Sequence, residues 1–464
     1  KKLSHLNIFS SFLPDDIRQQ ALASDQRWRE NKPLSVFDGV PVAIKDQIPV
    51  RNHRMCQGSD IQACVVHVRE DDLLARRLRD AGAIHVGVTV MTEGGVTPLG
   101  YSAHFDGPFN PYNVDHYPGG SSAGSTVAVA SGLVPMAVGF DGGGSIRVPA
   151  AMSGTMGLAP TFGRIPHDHS IASTMTKAGP IAATLEDVAL AHLLLGQTSA
   201  GSFQTNVIGV AYVPPPHLGT VVNDNGELDV PRVAGPTSLQ GTRLGIFWEH
   251  FQHCDSEVYE ASLRSVRYLE SLGAEVVNIT IPHLREIHLS HGIQILSEFG
   301  MLWDRQFHDP NHHLEANTEI TIALGRTVKA SEIIAAAKVR SYALQKVCKE
   351  IFRGMELDAI VSPMLGDKVP RALEGYRNYG ESNNAKVYRV MRYVPLANLL
   401  GLPGLSVPVG YEKENSVPIG FQLLGDAWCE HKLLRIGMYL EQSAFLQRRR
   451  PPAENFHDTL EKFV

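Results

Sequence analysis

Ser121 and Ser145 each stand inside a glycine-rich cluster, and Lys45 closes a short apolar run. A serine hydroxyl becomes a nucleophile near neutral pH only beside a group that takes its proton. Histidine is the usual acceptor. Here His116 lies before the Gly/Ser region and His167 well after it, and neither Ser121 nor Ser145 stands at the centre of a Gly-x-Ser-x-Gly elbow. The acceptors left are a second serine and a lysine. Burial lowers the proton affinity of an amine, and a neutral amine can draw a proton through an intervening hydroxyl. The set required is one buried lysine, one bridging serine and one exposed serine. Lys45, Ser121 and Ser145 meet it by residue type.

The run Gly142-Gly143-Gly144 just before Ser145 would supply unshielded N–H groups for a developing oxyanion. Other uses of the same stretches stay open. Gly119 to Gly124 ahead of a helix could cradle phosphate, although the Gly-x-x-x-x-Gly-Lys-Ser/Thr pattern is missing, since Ser125 and Thr126 follow Gly124. Both clusters could also be structural turns, and Lys45 could be a surface lysine at a strand end.

The elements that must position these residues follow from hydrophobic patterning. Val42–Ile44 reads as a buried strand leading into Lys45. Thr126 to Val138 is long enough for one buried helix and a short strand. Asp71 to Ala81, Gly82, and Ala83 to Thr89 spell helix, glycine, strand, with acids at the helix start and arginines near its end. The same order recurs at Ser256–Leu272, Gly273 and Ala274–Ile281, after a strand at Arg243–Trp248. Further strands are expected at 357–363, Leu405–Val409 and Ile419–Leu424, the last two joined by a polar turn at Glu412–Ser416. A surface helix capped at Ser24-Asp25 is expected to run to Glu30. This alternation predicts an α/β fold on a largely parallel sheet.

Residues 196–241 read as a long irregular insertion, and 446–464 as a charged tail. Residues 283–355 read as helices with apolar positions at Ile293, Ile295, Phe299, Leu302 and Trp303. His308, His312 and His313 surround Asp309-Pro310, where a solvent-facing loop is expected rather than a metal site, because Pro310 breaks helical ligand spacing.

The chain has 464 residues and a net charge of −6, with 43% hydrophobic and 19% charged residues. That balance suits a large-cored globular protein and gives no footprint for nucleic acid. Its five cysteines, with Cys56 and Cys64 the nearest pair, have no metal-ligand or redox spacing and are expected to be reduced thiols in the cytoplasm. No apolar stretch is long enough to span a bilayer. The first residue is Lys1 rather than Met, so membrane attachment through a missing N-terminal segment is carried as an expectation.

Taken together, Pro118 to Arg164 closely resembles the signature of the amidase signature hydrolases. The matching blocks are Gly119-Gly120-Ser121-Ser122, Asp141 to Pro149, Gly154 to Pro160 and Gly163-Arg164. Val42-Ala43-Ile44-Lys45-Asp46 is similar to the family's lysine strand. Gly179-Pro180-Ile181, Leu185-Glu186-Asp187, Asn398 to Val409 and Pro418-Ile419-Gly420 match further blocks, so the likeness covers most of residues 36–440. Phe140, Ala123, Ala159 and Val90 depart from the family's usual residues.

The resemblance implies one amidase domain on a large, mixed, mostly parallel twisted sheet with helices on both faces. Residues 36–190 would form the signature core, 191–355 an insertion and helical substrate channel, and 356–440 the C-terminal part of the sheet. It implies Ser145 as acyl-forming nucleophile, Ser121 after a cis peptide bond as proton relay, Lys45 as base, and Gly142, Gly143 and Gly144 as the oxyanion and substrate-binding loop. Asp141 to Ser145, Arg392 to Gly401 and Gly425 to Trp428 most resemble plant-type fatty acid amide hydrolases. That implies cleavage of lipid amides such as N-acylethanolamines, without cofactor or metal, by a homodimer with peripheral membrane contact. Apolar faces within 283–340 would wall the acyl channel, though any one such residue reads first as ordinary core. The alternatives are a glutamine-hydrolysing component of an amidotransferase and a non-catalytic binder.

Overall fold

Strand Pro41–Lys45 lies inside the sheet, and its alternate residues show why. Val42 and Ile44 join one hydrophobic cluster, and Ala43 joins another on the opposite face. Met136 and Val138 divide from Ala137 in the same way. A strand sends successive side chains to opposite faces, so both faces here are covered by apolar packing.

The computed structural model describes residues 2–59, 68–167, 173–196, 238–306, 313–376, 381, 383–443 and 446–459. Its strands are β1 (Phe9–Ser11), β2 (Pro41–Lys45), β3 (Ile84–Thr89), β4 (Met136–Asp141), β5 (Met156–Ala159), β6 (Lys177–Ala182), β7 (Arg243–Ile246), β8 (Glu275–Asn278), β9 (Ala359–Pro363), β10 (Gly404–Tyr411) and β11 (Pro418–Leu424). They form one 11-stranded sheet in the order β1-β3-β2-β4-β6-β5-β10-β11-β9-β7-β8. The α-helices are α1 (Pro14–Arg29), α2 (Leu73–Asp80), α3 (Ala123–Ala130), α4 (Arg147–Ser153), α5 (Leu185–Leu195), α6 (Trp248–Phe251), α7 (Ser256–Ser271), α8 (Leu284–Gln306), α9 (Ala316–Thr327), α10 (Ala330–Ala343), α11 (Asn384–Val390), α12 (Pro395–Leu399) and α13 (Glu430–Glu441). Residues of α2, α5 and α7 pack into the first cluster, and residues of α3 and α4 into the second.

The fold is α/β with a mixed sheet, and its parallel share is smaller than the alternation suggested. Parallel pairing is confined to β3-β2-β4 and β9-β7-β8. Between them β4, β6, β5, β10, β11 and β9 pair antiparallel. The short turn between β10 and β11 permits no crossover, which parallel strands need.

Local signals explain the helix starts. Asp72 caps α2 by accepting from the Leu74 N–H, and Asp255 caps α7 by accepting from Glu257. The expected cap at Ser24 is not formed. Helix α1 starts ten residues earlier, with Pro14 in its first turn and Asp15 and Asp16 behind it, and Ser24 is buried in its interior. Most of the expected insertion, His308 and His312, Cys64, the side chain of Trp303 and the end of the tail lie outside the described residues.

Candidate active site

Three chain segments meet where β2 and β4 end. The two strands are parallel neighbours, with Ile44 opposite Val138. Their carboxyl ends therefore share one edge of the sheet, the edge at which open α/β sheets carry ligands. Lys45 is the last residue of β2, and the chain leaving β4 at Asp141 is the triple-glycine loop. Ser121 sits just ahead of α3, the helix that leads into β4.

Lys45 is fully buried, and its Nζ donates to Ser121 Oγ at 2.7 Å. Burial pushes its pKa down to about 7, against the pull of Asp141 and Asp46. Near neutral pH a large share of this amine is unprotonated and can accept. Ser121 follows a cis Gly120–Ser121 peptide bond. The next residue ties this loop to the other serine: the Ser122 N–H donates to the Ser145 carbonyl at 3.1 Å. Lys45, Ser121 and Ser145 line one cavity of about 360 Å³.

The glycine loop is shaped by Asp141. Its carboxylate accepts from the Gly144, Ile146 and Arg147 N–H groups and from the Arg147 guanidinium and Asn398 amide. Burial pushes this carboxyl up, and the charge and hydrogen bonds of Arg147, with Lys177 and Asn398, more than reverse it and hold it well below the usual carboxylate range. Gly144 has φ +92°, and a Cβ there would meet Val148 and Val394 at 2.8 Å, so only glycine fits without strain.

The three glycines are not equivalent. The Gly144 N–H is spent on Asp141 at 2.8 Å, which takes it away from the oxyanion duty expected of it. Gly142 and Gly143 both line the cavity, and neither N–H is drawn into a bond of this kind among the described residues.

Beyond the serines the cavity is walled by Ile295, Leu296, Phe299 and Leu302 of α8 and Ile320 and Leu324 of α9. Of the apolar positions expected in this region, Ile295, Phe299 and Leu302 therefore face the cavity. A polar patch borders them: Glu298 accepts from Ser173 Oγ and from the Thr174 N–H and Oγ1. Sequence reasoning missed His291, Thr176 and Glu298, which also line the cavity. Their only signal is their chain position, opposite a loop far away in sequence. Among the described residues no cluster of His, Cys, Asp and Glu could hold a metal ion, and no helix is long and apolar enough to cross a membrane.

The model of the amidase family matches residues 2–434. The chain belongs to the amidase family. It is an amide-hydrolysing enzyme. This amidase is 34% identical over 447 residues to a fatty acid amide hydrolase of Medicago truncatula, covering 95% of the chain and 70% of that protein. It is 31% identical over 472 residues to a glutamyl-tRNA(Gln) amidotransferase component of Pseudomonas syringae pv. syringae, covering 96% of the chain and 92% of that protein. Among solved structures, one from a vestigial protein complex bearing on the origins of an s-triazine catabolic enzyme superposes with a TM-score of 0.82 at 24% identity. That superposition covers 96% of the amidase and 93% of the other chain, and it shows the shared fold.

Proposed function

We propose that the amidase hydrolyses fatty acid amides through an acyl-enzyme on Ser145, with Ser121 as proton relay and Lys45 as base. The observation that carries this reading is the buried Lys45 amine, 2.7 Å from Ser121 Oγ, in the cavity that also holds Ser145.

In the first step Ser145 Oγ bonds to the amide carbonyl carbon. Its proton passes to Ser121 Oγ as the Ser121 proton passes to neutral Lys45. The carbonyl oxygen becomes an oxyanion facing the N–H groups of Gly142 and Gly143. Such donors are worth roughly 3–4 kcal/mol each to a transition state. The C–N bond then breaks, and the departing nitrogen takes the proton back along the same path. Water, activated in the same manner, cleaves the ester to the fatty acid and restores Ser145.

The substrate class follows from the wall. Ile295, Leu296, Phe299, Leu302, Ile320 and Leu324 offer an apolar acyl chain a lining that glutamine cannot use. The reading as a glutamine-hydrolysing component is favoured by one fact, that the chain spans 92% of the Pseudomonas relative. Purified protein assayed with an oleoyl amide and with glutamine separates the two, and oleoyl amide turnover is expected. Ser145→Ala is expected to abolish that turnover and labelling by a fluorophosphonate. Full turnover by Ser145→Ala would overturn the assignment.

A further inference from the structure

His291 has no part in the proton path, yet it stands in the cavity wall against the glycine loop. It is buried on α8, and its Nε2 lies 3.1 Å from the Gly142 carbonyl oxygen. A carbonyl oxygen only accepts, so the ring donates its Nε2–H. Burial pushes its pKa down to about 4, so the ring is neutral at neutral pH. Its proton on Nε2 is fixed by this bond.

The bond completes a pattern. Three successive peptide planes leave β4, and each is held at one end by a side chain. The Asp141 carbonyl accepts from Asn398 Nδ2 at 2.9 Å. The Gly142 carbonyl is held by His291. The Gly144 N–H, in the third plane, is held by the Asp141 carboxylate. A trans peptide plane directs its C=O and N–H oppositely, so tethering a carbonyl on one side aims the N–H on the other. The middle plane joins two glycines, the residues least able to resist a flip. A flip there would replace an N–H dipole with a carbonyl oxygen beside any developing negative charge.

We propose that His291 is a positioning residue for amide hydrolysis: by holding the Gly142 carbonyl against α8, it points the Gly143 N–H at the oxyanion formed at Ser145. This rests on the Ser145 acyl-enzyme reading. The proposal gives His291 no step in the proton path; it acts through the peptide it holds.

The test compares His291→Leu, which cannot donate, with His291→Gln, whose amide can reach the same carbonyl. Full-length variants are assayed for kcat and KM on an oleoyl amide and for the rate of fluorophosphonate labelling. Loss of a whole oxyanion donor lowers kcat about 10²–10³-fold. Loss of alignment alone is expected to lower it by roughly 10–100-fold in His291→Leu, with KM changed less than about twofold. Labelling should slow in parallel, and His291→Gln should recover most of the loss. If His291→Leu does not fold, His291→Ala, which removes the donor without new bulk, takes its place. Wild-type kcat in the donor-less variant, a loss confined to KM, or a His291→Gln variant as slow as His291→Leu would each overturn the proposal. Turnover by Ser145→Ala would instead overturn the acyl-enzyme reading beneath it, so the two failures are distinguishable.

Discussion

Lys45 is a fully buried amine with two carboxylates, Asp46 and Asp141, acting on it through space. Burial wins and brings its pKa down to about 7. Only the neutral amine accepts a proton, so kcat/KM is expected to rise with pH on a limb centred near 7 and then level off. Burial also pushes the neighbouring Asp46 up to about 7, so the limb belongs to the interacting pair. Lys45→Met is expected to remove the limb and lower kcat by about 10²–10⁴-fold, the usual contribution of a positioned base. A pH–rate profile of both proteins checks this, and a limb that survives in Lys45→Met would assign the titration elsewhere. At this scale the sequence singled out Lys45, Ser121 and Ser145 by chemistry and motif, and the three line one cavity, while their roles belong to the proposed function. It could not separate Gly144 from Gly142 and Gly143, because which N–H an aspartate consumes is set by the turn, not by residue type. His291 was illegible for a related reason: its partner is a backbone carbonyl on a loop distant in sequence.

Among the elements, the turn from β4 into α4 depends on one carboxylate. Asp141 accepts from three backbone N–H groups, and it faces the wholly buried Arg147 guanidinium at 3.0 Å. Removing one partner of a buried pair strands the other charge and typically costs 3–5 kcal/mol. Asp141→Ala is therefore expected to lose about 3–5 kcal/mol in urea unfolding, together with nearly all activity. A loss below about 1 kcal/mol would show that the turn is held by other contacts. Helices α8 and α9 are the second element at issue. Phe299 contributes a large apolar surface to the cavity wall. Phe299→Ala is expected to raise KM for long-chain amides about tenfold while leaving acetamide-sized substrates unchanged, since one or a few apolar groups discriminate by ~1–3 kcal/mol. Equal effects on both substrates would point to damage at the serines instead. Helices were expected across 283–355, but no periodicity tells a core-facing stripe from one that lines a cavity.

Across the whole molecule, a single mixed sheet carries the site at one edge of its parallel β3-β2-β4 section. The alternation of strand and helix made the α/β class legible. It overstated the parallel share, because the direction in which the returning strands β5 and β6 pair leaves no mark on their composition. The fold also buries a second lysine. Lys177 donates to the carbonyls of Leu402 at 2.6 Å and Ala397 at 3.4 Å, and burial, with Arg147 acting the same way, pushes its pKa down to about 7. Against an unfolded value near 10.5, the folded molecule holds fewer protons between these pH values. Stability of the wild type relative to Lys177→Met is therefore expected to increase as pH rises from about 7 to 10.5, and to be lowest below that window. Urea midpoints of the two proteins at pH 7, 8.5 and 10 check the sign, and a difference that is flat or shrinks would contradict it.

Mass spectrometry of the amidase quenched during turnover of an oleoyl substrate reads the covalent chemistry itself. An oleoyl group is expected on the peptide containing Ser145, formed in wild type and far more slowly in Lys45→Met. Turnover with no acylated serine, or with the acyl group on another residue, would contradict the proposed path.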